Sequence, residues 1–335
     1  MLKTPLLLSV SWVIMGLGVS WAPKGLQAQA AKLEDIRVQS VSYHGWKDCY
    51  LISNGMVETV VVPAIGRVMQ FRFSGDEAGP FWENRALDGK PPDPKSTEWG
   101  NFGGDKSWPS PQAGWMEVTG RGWPPPVAFD SMPVTVTPVP GGVDISNSVD
   151  PHYGIRATRR VRLDSGSPTL RIETQYTRIS GKEDPVSVWV ITQLKDPVRT
   201  YAAVPETSIF PNLYNNQGES VPPSLKIQNR MISLGRDGSR SYKIGSDAGV
   251  LLWIDEKTVL KIESAREHGK LYPDNGSSAE IYTNADPNRY VELEMLGPLE
   301  KLKIGSSIRR SSTYTLMKRK HADPDVEARE ILRLP

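Results

Sequence analysis

The sequence CYLISNGMVETVVVP, residues 49–63, decides the fold class of this chain. Its two apolar and β-branched runs, residues 50–52 and 56–62, flank the pair Asn54-Gly55. Asn-Gly favours the positive φ angles of a tight hairpin turn between antiparallel strands. The segment therefore predicts a β-hairpin.

Short apolar runs between turn residues recur along the rest of the chain. Pro63 ends the second strand, and Gly66 bends the chain into a third run at residues 67–73. Further strands are predicted at residues 134–138, 143–148, 155–163, 169–179, 186–194, 242–244, 250–254, 259–263, 279–283, 290–295 and 312–316. Residues 195–229 are rich in Pro and Asn, and we expect a long loop there.

This pattern predicts an all-β protein built as an antiparallel sandwich. No motif recurs at the period of about 40 to 50 residues that a propeller requires. Asp323-Pro324-Asp325 predicts the start of a short C-terminal helix that runs to Leu334. We expect one sandwich domain over residues 43–317, preceded by a lead-in at residues 31–42 and followed by a helical tail at residues 318–335.

The first 30 residues have the features of a signal peptide. Lys3 precedes an uncharged stretch at residues 5–22, and Ala28-Gln29-Ala30 is a cleavage pattern. We expect a periplasmic or extracellular protein with no stable membrane span after cleavage. Loss of the leader removes two lysines and lowers the formal net charge from +2 to 0, which argues against nucleic-acid binding.

The cysteine content also fits a domain that rests on its hydrophobic core. The chain has a single cysteine, Cys49, so it cannot form an internal disulfide. Because Cys49 lies at the start of an apolar run, we expect a buried small hydrophobe rather than a nucleophile.

Four tryptophans lie close together in WGNFGGDKSWPSPQAGWMEVTGRGWPPP, residues 99–126. They are Trp99, Trp108, Trp115 and Trp123. Indole rings on a Gly/Pro-rich backbone provide flat apolar surfaces on which a sugar ring stacks. We expect residues 81–129 to form a loop over one end of the sandwich and to bind a saccharide.

Polar residues accompany these rings. Asp105, Lys106 and Gln112 are candidates to hydrogen-bond the sugar hydroxyls, and Arg67 is a further candidate contact. In the alternative interpretation, Asp105 and Lys106 form a local ion pair and the tryptophans fill the core.

Four blocks of sequence resemble a known group of proteins. The blocks are LISNGMVETVVVPAIGRVMQF, GGDKSWPSPQ, PVSVWVITQL and RYVELEMLGPLEKLKIGSSIRRSSTYTL. Over residues 43–316, their order and spacing resemble an uncharacterised bacterial family of the galactose mutarotase-like, or aldose 1-epimerase-like, group. The resemblance implies an antiparallel β-supersandwich with a carbohydrate-binding concave face, and it implies no particular reaction.

The aldose 1-epimerases of that group use a carboxylate base and a histidine acid at the anomeric carbon. By resemblance, Glu292 and Glu294 in YVELEM occupy the region of the base, and one strand face presents both. The strand PVSVWVITQL has no histidine, so His152 is the substitute acid, and Asp105 is a further acid–base candidate. The simpler interpretation of YVELEM is a half-exposed strand with solvated or ion-paired glutamates.

Other classes of function stay open. A glycoside hydrolase needs two carboxylates, which Asp105, Glu117, Asp130, Glu292 and Glu294 offer. A structural or interaction domain of the cell envelope needs none of them. The four histidines lack metal-ligand spacing, so we expect neither a metal nor a cofactor. The oligomeric state is not predicted.

Overall fold

The computed structural model describes residues 36–334, so the predicted signal peptide lies outside the described residues. Nearly all regular structure is β. In chain order the strands are β1 (Arg37–Tyr43), β2 (Trp46–Ser53), β3 (Val57–Val62), β4 (Arg67–Phe73), β5 (Asp105–Ser110), β6 (Thr135–Val139), β7 (Gly142–Ser146), β8 (Ile155–Leu163), β9 (Thr169–Arg178), β10 (Pro185–Lys195), β11 (Arg199–Ala203), β12 (Asn215–Asn216), β13 (Lys226–Gln228), β14 (Met231–Leu234), β15 (Tyr242–Ser246), β16 (Val250–Ile254), β17 (Thr258–Glu263), β18 (Ala279–Thr283), β19 (Tyr290–Leu296), β20 (Glu300–Lys301) and β21 (Ser307–Lys318).

The helices are short. They are α1 (Trp115–Thr119), α2 (Val127–Asp130) and α3 (Pro324–Leu332), with single 3₁₀ turns at Pro63–Ile65, Arg85–Leu87, Gln112–Gly114 and Asp274–Gly276. Within residues 36–334, none of them has the length and apolar character needed to cross a bilayer.

The strands form two antiparallel sheets, and the fold class predicted from the sequence is confirmed. The first sheet has the order β1-β2-β3-β4-β5-β10-β19-β18-β15-β12, with β20 paired to β10. The second has the order β13-β14-β11-β16-β17-β21-β9-β8-β7-β6. A single large apolar cluster includes buried residues from both sheets, so the main core lies between them.

The first hairpin forms with a wider turn than the sequence predicts. Ser53 pairs with Glu58, so four residues separate the last paired positions of β2 and β3. Gly55 has φ +84°, whereas Asn54 does not have a positive φ. The Asn54 side chain instead accepts hydrogen bonds from the backbone N–H groups of Met56 and Val57. Cys49, on β2, is fully buried, as expected.

The segment at residues 81–129 is not one continuous loop. Asp105–Ser110 is β5, a strand inside the first sheet between β4 and β10. The preceding Gly104 has φ +71°, and a Cβ there would lie 2.6 Å from the Val68 carbonyl oxygen. Gly104 therefore permits its own backbone to pass close to the backbone of β4. Pro109 is tolerated because β4 pairs with β5 at one position, Val68 to Asp105.

The predicted loop at residues 195–229 is also wrong in part. β11 lies in the second sheet between β14 and β16, and Tyr201 and Ala202 on it are buried. Its sequence RTYAA has two alanines, which are depleted in strands, so the strand signal is weak. Similarly, β1 begins at Arg37, within the stretch assigned to a lead-in.

The C-terminal helix α3 forms where the sequence predicts it. The Asp323 carboxylate caps the helix by accepting hydrogen bonds from the backbone N–H groups of Asp325 and Val326. The Tyr201 hydroxyl donates to Asp325 at 2.8 Å, and Ala328 packs in a small core with Tyr201. The helix is thus fixed against β11.

Candidate functional site: a tryptophan-lined cavity

A cavity of about 470 Å³ lies against the first sheet, and we call it the tryptophan cavity. Its walls include Trp99, Trp108, Trp123 and Trp189, together with Glu292 and Glu294 of β19. On β10, Thr192 hydrogen-bonds Tyr314 of the second sheet, so Trp189, three residues away, is on the opposite face. The cavity therefore lies on the side of the first sheet that faces away from the second sheet.

The aromatic wall is a set of rings in mutual contact. Trp108 lies edge-on to Trp99, Trp123 and Trp189, with centroid distances of 5.6, 5.9 and 5.4 Å. Trp115 is fully buried behind them and stacks on Trp123 at 6.2 Å. Trp123 is 45% exposed, so its ring is accessible to a ligand, whereas Trp108 is largely covered. Of the four tryptophans that the sequence assigns to a binding site, Trp115 belongs to the core, whereas Trp99, Trp108 and Trp123 line the cavity.

Asp130 fixes two of these rings. Its carboxylate accepts hydrogen bonds from the indole N–H groups of Trp99 at 3.1 Å and Trp108 at 2.9 Å. It also pairs with the guanidinium of Arg67 at 2.7 Å. Arg67 is fully buried and donates its other contact to the Gly103 carbonyl, so it supports the wall and does not reach the cavity.

Glu292 and Lys106 form a buried pair at the base of the cavity. Lys106 Nζ lies 3.6 Å from Glu292 Oε1, and 4.9 Å from the centroid of the Trp108 ring. Burial raises the pKa of Glu292, although the Lys106 ammonium opposes this. Burial also lowers the pKa of Lys106 to about 8, against the pull of Glu292. Lys106 itself is sealed beneath the rings, so it acts on the cavity through Glu292 and the tryptophans.

Glu294 belongs to a second buried cluster. One of its oxygens accepts hydrogen bonds from the Trp189 indole at 2.6 Å and from Lys243 Nζ at 2.9 Å. Lys243 also pairs with Glu280 at 2.7 Å. Burial opposes the charged form of Lys243, but the two carboxylates outweigh it and raise the pKa of Lys243 above its ordinary value. Burial raises the pKa of Glu280 as well, and Lys243 only partly counteracts this.

These contacts correct the interpretation of YVELEM as a half-exposed strand. Every residue of β19 is buried, and Glu292 is only 8% exposed. Its glutamates are paired with lysines rather than solvated.

Asp105 lies on the other side of the first sheet. Its carboxylate pairs with Arg159 of β8 and accepts hydrogen bonds from Thr192 and Tyr314, both at 2.7 Å. It is fully buried and contributes nothing to the walls of the tryptophan cavity. Asp105, a candidate for acid–base chemistry and for saccharide contact, therefore does not share a cavity with the glutamates, because its side chain points from the first sheet towards the second. Asp105 joins the two sheets.

His152 is also apart from the glutamates. It lies in a separate surface hollow whose walls include Glu117 and Arg178. In the part of the chain that the structure describes, no histidine lines the tryptophan cavity. The pair of Glu292 or Glu294 with His152 is therefore not assembled.

Several polar residues of the cavity escape the sequence analysis. Gln112, which it predicts, lines the wall, but so do other side chains from the tryptophan-rich segment and from distant parts of the chain. These additional polar residues are Asn101, Lys243, Tyr282, Asn284, Asn288 and Tyr290. A single lysine in the apolar strand YKIGS is a recognisable signal for Lys243, whereas the loop asparagines carry none.

Comparison with solved structures identifies the architecture. The chain superposes on the Slr1438 protein of Synechocystis sp. PCC 6803 with a TM-score of 0.52 and 15% identity, over 83% of this chain and 99% of that one. A provisionally assigned aldose 1-epimerase from Escherichia coli K12 gives a TM-score of 0.52 and 12% identity, over 84% and 99%. A galactose mutarotase-like protein from Lactobacillus casei ATCC 334 gives 0.50 and 10%, over 80% and 100%.

The chain has a galactose mutarotase-like fold. This confirms the fold that the resemblance of the four sequence blocks implies. No protein-family model matches the sequence, and a search of curated proteins gives no significant match. Because the structural identities are at most 15%, the similarity establishes the fold, and the function has to be argued from the tryptophan cavity itself.

Proposed function

We propose that this protein is an exported saccharide-binding protein and that the tryptophan cavity is its binding site. One observation carries the proposal: the tryptophan-rich segment and the strand YVELEM meet at a single cavity. Accessible indole rings there stand opposite carboxylate, amide and hydroxyl groups. A sugar presents the matching chemistry, with apolar C–H faces and a rim of hydroxyls.

The aromatic wall of the cavity is also already ordered, which favours ligand binding. The rings of Trp99 and Trp108 are held by Asp130, and Trp123 stacks on the buried Trp115. Binding to a wall that is already ordered costs little conformational entropy. The volume of about 470 Å³ is within the range of small-molecule sites.

Tryptophan fluorescence tests the proposal directly. Addition of mono- and oligosaccharides from a broad panel is expected to change the emission of the wild-type protein in a saturable way. Trp123→Ala removes the most exposed ring and is expected to weaken binding by roughly tenfold, the effect of losing about 1.4 kcal/mol. Met116→Ala is the matched control, because Met116 is exposed on the same segment and does not line the cavity. Absence of any response across the panel would contradict a sugar site.

Export is part of the same proposal and rests on the leader sequence. The mature protein is expected to begin at Ala31 and to occur in the periplasmic or extracellular fraction. N-terminal sequencing of the protein from fractionated cells checks this, and a full-length chain in the cytosol would contradict it.

A second candidate is acid–base chemistry at the anomeric carbon, favoured by Glu292. This glutamate lines the cavity, and burial raises its pKa above the ordinary value, which makes it a stronger base than an exposed carboxylate. NMR exchange between α and β anomers is expected to accelerate with the wild type and return to background with Glu292→Gln. Glu300→Gln, at an exposed ion pair with Lys270, is the control. No acceleration with any sugar of the panel leaves binding alone.

A further inference from the structure

The tryptophan cavity does not end at its own walls. A second cavity of about 370 Å³ adjoins it, and Trp99, Asn101 and Asn288 contribute to the walls of both. We call this second hollow the adjoining cavity. Because the two share these side chains, they lie side by side, with Trp99 between them.

The adjoining cavity has the chemistry of a site for a neutral polar ligand. Part of its wall carries side chains of both charges and a hydroxyl, from Lys90, Asp93, Ser96 and Glu98. The wall also includes Ser131, which comes after the tryptophan-rich segment in the sequence. Three carboxylates, Asp93, Glu98 and Asp130, face one ammonium, that of Lys90, so the walls disfavour anionic ligands, and their hydroxyl and amide groups can hydrogen-bond the hydroxyls of a neutral ligand.

Trp99 stands at the junction as a fixed platform. Its indole N–H donates a hydrogen bond to Asp130, which also lines the adjoining cavity. Its ring is wedged edge-on between Trp108 and Trp123, at 5.6 and 5.2 Å. A rigid, half-buried ring reachable from two hollows is a stacking surface that two linked sugar units can use together.

We propose that the two cavities are successive subsites for one oligosaccharide, with a sugar unit in each and Trp99 at the linkage between them. This inference rests on the proposed function, and it specifies its ligand as an oligosaccharide rather than a monosaccharide. The second unit adds contacts with the adjoining cavity without changing those of the first.

Calorimetry with saccharides of increasing length tests the inference. The probes are glucose and N-acetylglucosamine with their 1,4-linked oligomers of two to four units, in the α and β series for glucose. A chain of two or more units is expected to bind at least about tenfold more tightly than its monomer, because the second unit gains its own contacts. Ser131→Trp fills the adjoining cavity and is expected to abolish this gain while leaving monosaccharide affinity unchanged, since Ser131 does not line the tryptophan cavity.

Two further variants keep the test decisive. Lys90→Ala removes an exposed side chain of the adjoining cavity and is expected to cost a few-fold in affinity for the longer saccharides only. Lys257→Trp, in the turn between β16 and β17 of the second sheet, is the control for adding a surface tryptophan. Equal affinity at every length, or a length gain that survives Ser131→Trp, would overturn the oligosaccharide inference alone. Absence of binding at every length would overturn the proposed function with it.

Discussion

Lys106 Nζ lies 3.6 Å from Glu292 Oε1 at the base of the tryptophan cavity, and both side chains are buried. The pair connects β5, from the tryptophan-rich segment, to β19, which carries the glutamates. In addition to the pairing of both strands with β10, this electrostatic contact joins the tryptophan wall to the glutamates of β19, and its strength depends on the protonation of both groups.

Lys106 is expected to titrate near pH 8 rather than near its ordinary 10.5, because burial disfavours its charged form. Between these values the unfolded chain holds more protons on this lysine, so its contribution to the free energy of unfolding rises with pH. The ¹³Cε NMR signals of labelled lysine report this midpoint, with Lys106→Met as the assignment.

The neighbouring carboxylate gives this measurement its control. In Glu292→Gln the midpoint of Lys106 is expected to fall below 8, because the lost negative charge no longer supports the ammonium. Glu300→Gln leaves it in place. A Lys106 midpoint near 10.5 in the wild type would show that the lysine is hydrated.

Asp105 is expected to be a major stabilising residue rather than a ligand contact. Asp105→Asn leaves the buried Arg159 guanidinium without its counter-charge, which typically costs about 3–5 kcal/mol. Asp144→Asn breaks the more exposed pair with Arg160 and is expected to cost less than about 1 kcal/mol. Urea unfolding compares the two. Similar losses in both variants would contradict the assignment of Asp105 to the core.

Asp105 and Lys106 show which parts of the structure can be predicted from the sequence. Alternation of apolar and polar residues gives β8, and a continuous apolar run gives β16, both with their observed bounds, 155–163 and 250–254. It fails for β5, where two glycines and a proline are typical of a loop. With β5 taken as a loop, Asp105 and Lys106 look equivalent. As a strand, it sends them to opposite faces of the sheet.

The candidate site follows the same limit. The tryptophans and glutamates are recognisable because each group is concentrated in one segment. Lys243, Asn284 and Asn288 come from distant parts of the chain, and only the strand order β19-β18-β15 brings them to the cavity. Arg67 illustrates the opposite error: a charged residue near a site is buried behind it, in contact with Asp130.

Asp130 is expected to affect both stability and binding. In Asp130→Asn the fully buried Arg67 loses its counter-charge, and the hydrogen bonds from Trp99 and Trp108 weaken. We expect a loss of about 3–5 kcal/mol in unfolding free energy and, in the folded protein, a several-fold weaker saccharide affinity. Asp105→Asn is the comparison, since it destabilises without touching the wall. Unchanged affinity in folded Asp130→Asn would show that the rings are held by packing alone.

Lys243 is expected to control how the contribution of the buried Glu280 to stability depends on pH. Burial raises the folded pKa of Glu280 above its ordinary value near 4.5, so the native protein holds more protons than the unfolded chain in the window above that value. The contribution of Glu280 to stability is therefore present at low pH and lost as pH rises through the folded pKa.

Lys243→Met makes this loss larger, because Glu280 and Glu294 then share one buried region without a cation. The variant is expected to lose Tm relative to the wild type between pH 5 and pH 8, with the difference growing as the pH rises. Lys261→Met, which breaks the more exposed pair with Glu263, is the matched control and is expected to show a small difference that does not depend on pH. A Lys243→Met protein with the pH profile of the wild type would contradict this role of the lysine. It would leave Lys243 only its contact with the Trp189 ring, whose centroid lies 4.6 Å from the ammonium.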